Sequence, residues 1–402
     1  MKKVKYLILG AGPSGLTFAN CLKNNNETDF LVLEAENEAG GLCRSTMVDG
    51  SPLDIGGGHF LDVRQKEVCD FLFHFMPESE WNLFGRNTCI DLKGTFVGHP
   101  LEANIWQLSQ EEQIEYLKSI AVAGCNRGEK MPEKFVDWIY WKLGSKIASD
   151  YMIPYNSKMF GEDLNILGVY WLNKLPDVSF EETLLSCLNR KPYGRQPGHA
   201  SFYYPKKSGY GEVWLRMAGK IKPHIGYNQS VVKLDIKNHA VVTQTGNVYT
   251  ADYIVNTVPW NSFDFVDDMG LGDLVLELKH TGIKISYYQE DQKSNAQWIY
   301  VPDKDISYHR ILSRKTFCPD SRGYWTETNL NRAQNDSAIY SYNNEYAYPL
   351  NTVNKPQIME ELLQFMKKYS IYGLGRWGEH QHYNSDVVVK LAMDMANEFT
   401  CK

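Results

Sequence analysis

A run of buried-strand character opens directly onto glycines spaced as Gly10-x-Gly12-x-x-Gly15, and few folds tolerate that combination. Val4-Lys5-Tyr6-Leu7-Ile8-Leu9 reads as a parallel strand, and a helix follows through Pro13, Ser14 and Leu16. A second apolar strand, Phe30-Leu31-Val32-Leu33, ends on Glu34 and is followed by Ala35. Each piece has a task on a dinucleotide. Gly10 permits the tight turn, Gly12 lets backbone approach a pyrophosphate, and Gly15 lets the helix pack on the strand. The helix N-terminus offers N–H groups to phosphate. Glu34, 24 residues after Gly10, is placed to accept from ribose hydroxyls.

Two further glycine sets separate a flavin from a nicotinamide. Gly40-Gly41-Leu42-Cys43-Arg44 and Gly56-Gly57-Gly58-His59 lie soon after the acid. An extended flavin dinucleotide needs backbone close to its phosphates and again near its ring; the alternative is that these glycines are turns between strands. The expected cofactor is FAD. The residues expected to hold it are Gly10, Gly12, Pro13, Ser14, Gly15, Glu34, Ala35, Gly41, Leu42, Arg44, Gly57 and Gly58, to which the family resemblance described below adds His59, Val232, Gly375, Arg376 and Asp386.

At 402 residues, with 43% hydrophobic and 22% charged residues, the chain is long enough for two domains with a large core. A net charge of −6 without a basic stripe argues against nucleic acid as a partner. Eight cysteines, scattered from Cys21 to Cys401 without a CxxC pair, give metal or redox motifs little support and suit a cytoplasmic location. No apolar run suggests a transmembrane span, and Met1-Lys2-Lys3 leads straight into the first strand, which argues against a signal peptide.

The expected fold is α/β: a Rossmann-like FAD-binding domain with an inserted α+β substrate domain of helices plus antiparallel sheet. Residues 1–90, 205–260 and 370–402 are assigned to the discontinuous FAD-binding domain, and 91–204 and 261–369 to the substrate domain. Strands are expected at Ser230–Leu234, Ala240–Thr243 and Asn247–Pro259, and a helix from Val387 to Phe399. Ser109-Gln110-Glu111-Glu112 is a capping box for a helix reaching Ala123, and Pro132 is expected to open another. Strands are then expected at Ile283–Tyr288, Trp298–Val301, Tyr308–Ser313 and Tyr324–Asn329.

Five segments in order resemble one family, the flavin-dependent UDP-galactopyranose mutases, the eukaryotic type more than the bacterial. They are Pro154–Phe160, Phe202–Trp214, Trp298–Pro302, Tyr308-His309-Arg310 and Gly375-Arg376-Trp377-Gly378. Broader relatives are flavin amine oxidases and protoporphyrinogen-oxidase-like proteins. The resemblance implies an isomerase that interconverts pyranose and furanose forms of a nucleotide-diphosphate sugar. Reduced flavin supplies the nucleophile at the sugar C1, and no net redox change occurs. An external reductant such as NAD(P)H would serve to reduce the flavin.

The resemblance assigns Arg310 and Arg376 to the diphosphate and His59 to the flavin side, so these three are the expected catalytic residues. It assigns Tyr155, Asn156, Tyr300 and Tyr383 to substrate contacts, with His382 competing for the last role. His99 and Glu102 stand where the family sets an aromatic residue and a glutamine against uracil; an ionised Glu102 accepts without donating. The triple glycine before His59 also departs from the family pattern. Two other readings stay open. One is an oxidoreductase acting on an amine or a ring carbon; the other is a flavin-binding protein without turnover. Sugar, base and oligomeric state are not readable.

Overall fold

The computed structural model describes residues 2–161, 163–172, 175–195, 200–266 and 270–400. Strand β1 (Lys2–Leu9) is exposed at its first residues and wholly buried at its last four, as a central parallel strand should be. Helix α1 (Pro13–Asn24) begins with proline at its first turn, where the missing N–H costs nothing. Strand β2 (Phe30–Leu33) pairs in parallel with β1.

On its other side β1 pairs in parallel with Val248–Asn256. That long strand divides its own partners. Its first residues pair antiparallel with Ala240–Thr243, and Ile254–Asn256 pair in parallel with Ile371–Gly373. Val231–Asp235 and then Asp264–Phe265 extend the meander, and Ile225–Gly226 flanks β2. On one face, Phe18 of α1 meets Phe399 of the C-terminal helix Ser385–Thr400 edge to face at 5.9 Å. On the other, Ile358, Leu362 and Met366 of helix Lys355–Lys367 pack with Leu7, Leu9 and Ile254.

A second sheet runs in the order Tyr340–Pro349, His280–Tyr288, Tyr324–Asn329, Arg310–Ser313, Trp298–Tyr300, Thr88–Leu92, Thr95–Gly98. It is antiparallel except where Trp298–Tyr300 runs parallel to Thr88–Leu92. The expected α/β class with a separate antiparallel sheet is therefore what the chain adopts. Ser201–Pro205 joins Leu61–Asp62 and Trp81–Gly85 in a third, small sheet. The expected division at 90/91 falls inside Thr88–Leu92, and the one at 260/261 precedes Asp264–Phe265, which pairs with Val231–Asp235.

Local expectations fared unevenly. The Ser109/Glu112 capping box is formed and starts helix Gln110–Ala121. Pro132 does not open the next helix, which spans Phe135–Ile147. Lys134 is extended instead and bridges Gly168, and the Phe135 N–H donates to the Leu167 carbonyl. Pairing with a distant segment thus displaces the first helical turn. The strand expected from Tyr308 begins at Arg310. Strands Thr88–Leu92, Thr95–Gly98 and Tyr340–Pro349 were not foreseen. Cys401 lies outside the described residues, among which no cluster of potential metal ligands occurs. Among those residues no helix is long and apolar enough to cross a membrane.

Candidate functional site

The glycine turn is built as a cradle. Gly10 has φ +98°, a conformation that disfavours side chains. A Cβ on Gly15 would lie 2.1 Å from the Gly10 carbonyl oxygen, so helix and strand are at closest approach there. A Cβ on Gly12 would meet nothing nearer than the Gly41 Cα at 3.9 Å. Gly12 therefore has room for a Cβ in ordinary contact with Gly41, and no side chain caps α1. An open approach beside an uncapped helix N-terminus fits a dinucleotide pyrophosphate.

Glu34 is buried at the end of β2 and accepts from the Ala11 N–H at 2.7 Å and the Glu36 N–H at 3.0 Å. Burial raises its carboxyl above the ordinary range against these two bonds. Ala35 beside it is exposed. Gly41 packs on Gly12, and Arg44 Nε donates to the Gly41 carbonyl at 3.1 Å while Nη2 reaches the Tyr342 hydroxyl at 2.9 Å. Val232 is half-buried on Val231–Asp235, near Gln229, whose N–H donates to the Glu34 carbonyl. A Cβ on Gly375 would strike Ser14 Oγ at 1.9 Å, so the segment carrying Arg376 is packed directly on α1.

From there a cavity of about 810 Å³ opens. Gly57, Gly58, His59, His99, Glu102, Tyr155, Asn156, Tyr300, Arg310, Arg376, His382 and Asp386 all line it. Backbone contact at Gly56 and a positive φ at Gly57 require glycine before His59, and side-chain packing crowds Gly58. A Cβ on Gly56 would lie 1.7 Å from the Leu42 carbonyl oxygen, Gly57 has φ +99°, and a Cβ on Gly58 would lie 2.1 Å from Leu312 Cδ2. His59 Nδ1 is 3.0 Å from the Gly57 carbonyl. A carbonyl only accepts, so Nδ1 carries the proton and Nε2 is left as an acceptor. Burial, then the nearby Arg376 charge, pushes the His59 pKa down to about 4, which keeps the ring neutral.

Arg310 is engaged by a carboxylate through two of its three guanidinium nitrogens. Its Nε donates to Glu327 Oε2 at 3.0 Å, Nη2 binds the same oxygen, and Nη2 also reaches the Tyr348 hydroxyl at 3.3 Å. Glu327 is fully buried, and its other oxygen accepts from the Gly58 N–H at 3.1 Å. Burial acts to raise the Glu327 carboxyl, but Arg310 and His309 outweigh it and hold it well below the usual range. Arg376 differs. Its guanidinium donates to the Tyr383 and Ala347 carbonyls, and among the described residues no carboxylate lies within 4 Å. Burial lowers its pKa, as expected of a guanidinium held by neutral partners.

Arg86, which sequence reasoning did not single out, is likewise held by neutral partners. It lines the cavity, donates to Thr88 Oγ1 at 3.0 Å and the Tyr300 hydroxyl at 3.2 Å, and lies 5.0 Å from the Trp298 ring centroid. Among the described residues it too has no carboxylate partner. Lys158 is a second omission. Its buried ammonium donates to the carbonyls of Asp303, Ile306 and Tyr308 at 2.7, 3.0 and 2.7 Å, which fixes the turn leading into Arg310. Burial lowers its pKa to about 7. Neither residue belongs to a spaced motif; Lys158 lies in the Pro154–Phe160 segment without a pattern to give it a role.

The aromatic wall is continuous. Tyr300 stands 4.9 Å from Tyr155 and 5.1 Å, edge-on, from His99. Burial, then Arg86, lowers the His99 pKa to about 3. Asn156 donates to the Met152 carbonyl one helical turn back. Asp386, in the first turn of the last helix, accepts from Gln65 at 3.0 Å. Tyr383 is not among the lining residues. It lends its carbonyl to Arg376, and its side chain lies at Glu379, whereas His382 lines the cavity 5.0 Å from Tyr348.

Residues 13–267 match the family of flavin-containing amine oxidoreductases. A UDP-galactopyranose mutase of Mycoplasma genitalium is 21% identical, covering 98% of this chain and 94% of that protein. A crystal structure of reduced UDP-galactopyranose mutase superposes with a TM-score of 0.86 at 19% identity, covering 99% of this chain and 94% of the other. A protein from Exiguobacterium sp., provisionally named as a protoporphyrinogen oxidase, superposes with a TM-score of 0.70 at 13% identity, covering 100% and 99%.

Proposed function

The chain belongs to the flavin-containing amine oxidoreductase family, and from that premise we propose that it is an FAD-dependent isomerase of a nucleotide-diphosphate sugar, of the UDP-galactopyranose mutase kind. One observation carries the reading: Arg86 and Arg376 present guanidinium groups to one cavity without carboxylate partners among the described residues. A diphosphate satisfies both by charge-assisted hydrogen bonds. An ammonium substrate would be repelled by them, which disfavours the amine-oxidase alternative.

A reduced flavin held by the Gly10–Gly15 turn, Gly41 and the Gly57-Gly58-His59 segment would supply the electron-rich centre that the reaction at the sugar anomeric carbon needs. The chain's own residues have three tasks. Arg86, Arg376 and the Tyr300 hydroxyl hold the diphosphate and stabilise its charge as it leaves and returns. Neutral His59 accepts a sugar hydroxyl through Nε2 and takes up or returns its proton as the ring opens and closes. Tyr155, Tyr300 and His99 exclude water from the sugar and base. Titration of the oxidised, flavin-loaded protein with UDP-galactopyranose and with putrescine tests the reading. Saturable binding of the nucleotide sugar with no flavin reduction by the diamine supports it; the reverse result refutes it.

A further inference from the structure

The peptide between Gly57 and Gly58 is held from both sides. Its N–H, on Gly58, donates to Glu327 Oε1 at 3.1 Å, and its carbonyl, on Gly57, accepts from His59 Nδ1 at 3.0 Å. The two groups point in opposite directions across a trans peptide. A carboxylate on one side and an imidazole on the other therefore fix a single peptide plane. Gly57 reaches this orientation at φ +99°, and a Cβ there would also stand 3.0 Å from Glu327 Oε1. The carboxylate is fixed in turn. Glu327, on strand Tyr324–Asn329, has no exposure to water. Its Oε2 accepts from Arg310 Nε at 3.0 Å, from Arg310 Nη2 and from the Tyr348 hydroxyl at 3.3 Å, with His309 Nε2 at 3.6 Å. Oε1 is thereby turned to Gly58.

We propose that Glu327 is a positioning residue for His59: through the Gly57–Gly58 peptide it holds the imidazole with its proton on Nδ1 and its lone pair on Nε2. That this lone pair receives a sugar hydroxyl rests on the nucleotide-sugar reading above; the tautomer itself does not. Which imidazole nitrogen carries the proton is decided by the partner that the ring is given. A peptide whose N–H donates to a carboxylate is polarised, which makes its carbonyl a stronger acceptor for Nδ1–H. Burial and Arg376 lower the His59 pKa, and the Gly57 carbonyl and the Glu327 charge act against them. Without the carboxylate the peptide is free to turn over. Its N–H then faces Nδ1, and the imidazole proton moves to Nε2, where it blocks acceptance of a hydroxyl.

Imidazole nitrogen-15 resonances of the oxidised, flavin-loaded protein at pH 8 test this, with His59 assigned from the signals that His59→Gln lacks. Wild type should show a protonated Nδ1 and an unprotonated Nε2. In Glu327→Gln a single side-chain oxygen must serve both Arg310 and Gly58. The charge of Arg310 takes it, and the amide NH2 is turned against the Gly58 N–H. The unprotonated signal should then pass, wholly or in part, from Nε2 to Nδ1. Arg310→Met is the control. It breaks the same ion pair yet leaves a carboxyl oxygen for Gly58, so its His59 should keep the wild-type pattern. If Glu327→Gln does not fold or load flavin, Glu327→Asp takes its place, because it keeps a charge for Arg310 but is too short to reach both groups. No nucleotide sugar is present, so the nucleotide reading stands or falls separately, on titration with UDP-galactopyranose. An Nε2-protonated His59 in wild type, an unchanged tautomer in the Glu327 variant, or an equal change in Arg310→Met overturns the proposal.

Discussion

Arg310 spends its guanidinium on Glu327: Nε and Nη2 converge on one carboxylate oxygen, with Nε at 3.0 Å, while the other oxygen of Glu327 takes the N–H of Gly58. The pair ties the antiparallel sheet to the glycine segment next to His59. It also sets a carboxylate against a cavity cation that the family resemblance assigns to the diphosphate.

Breaking this pair from either side should be costly. Glu327→Met strands the Arg310 charge, and Arg310→Met strands a carboxylate with no exposure to water. Each single variant should lose about 3–5 kcal/mol of stability, and the double variant less than the sum. Urea unfolding of the four proteins measures this. Additive losses would mean the two groups are not coupled.

Arg86→Ala and Arg376→Ala should each weaken UDP binding by about 10- to 100-fold, since a hydrogen bond to a charged group contributes about 1.5–3 kcal/mol. Calorimetry reads the change directly. Unchanged affinity in both would place the diphosphate elsewhere and favour the oxidoreductase alternative.

The glycine turn makes a sharper contrast than a simple loss of function. A Cβ on Gly12 meets only ordinary contact, with Gly41 at 3.9 Å, so the Gly12→Val protein should fold yet take up no flavin. Gly15→Val would collide with the Gly10 carbonyl, only 2.1 Å from the Cβ position, and should fail to fold. Far-ultraviolet circular dichroism and flavin absorbance separate the two. A folded, yellow Gly12→Val protein would contradict the assignment of the cradle.

Two buried histidines and one buried carboxyl should bias stability in opposite directions as pH changes. His59 and His99 are held at about 4 and about 3, below the ordinary 6.5, so the unfolded chain gains protons that the folded one refuses. Their contribution is complete above 6.5 and is lost as pH falls through 4. Glu102 has the opposite sign. Its folded pKa of about 7 exceeds the ordinary 4.5, so stability falls as pH rises from 4.5 to 7. Glu102→Gln should therefore melt higher than wild type at pH 8 and lose that advantage at pH 4. Parallel melting curves at both values would remove Glu102 as the cause.

Much of the fold was legible because its signals are local and periodic. The strand–glycine–helix–strand order from Val4 to Glu34 carries β1, α1 and β2, and alternation located Ala240–Thr243 and Tyr324–Asn329 closely. Tyr340–Pro349 was missed because Asn343, Asn344 and Glu345 interrupt any strand pattern; its pairing with His280–Tyr288 supplies what propensity does not. The site was legible where the chain needs glycine. It was illegible where one polar residue meets another far along the chain. Glu327 lies on a correctly expected strand, but nothing local shows that its carboxylate turns inward to Arg310. Arg86 likewise gains meaning only once Tyr300 and Trp298 lie beside it.

Incubation of the flavin-loaded protein with UDP-galactopyranose, with and without one initial reduction by dithionite, tests the proposed chemistry most directly. The account predicts a furanose product only after reduction, with many turnovers for each equivalent of reductant. Absence of that product, together with stoichiometric flavin reduction by an amine or a porphyrinogen, would contradict it.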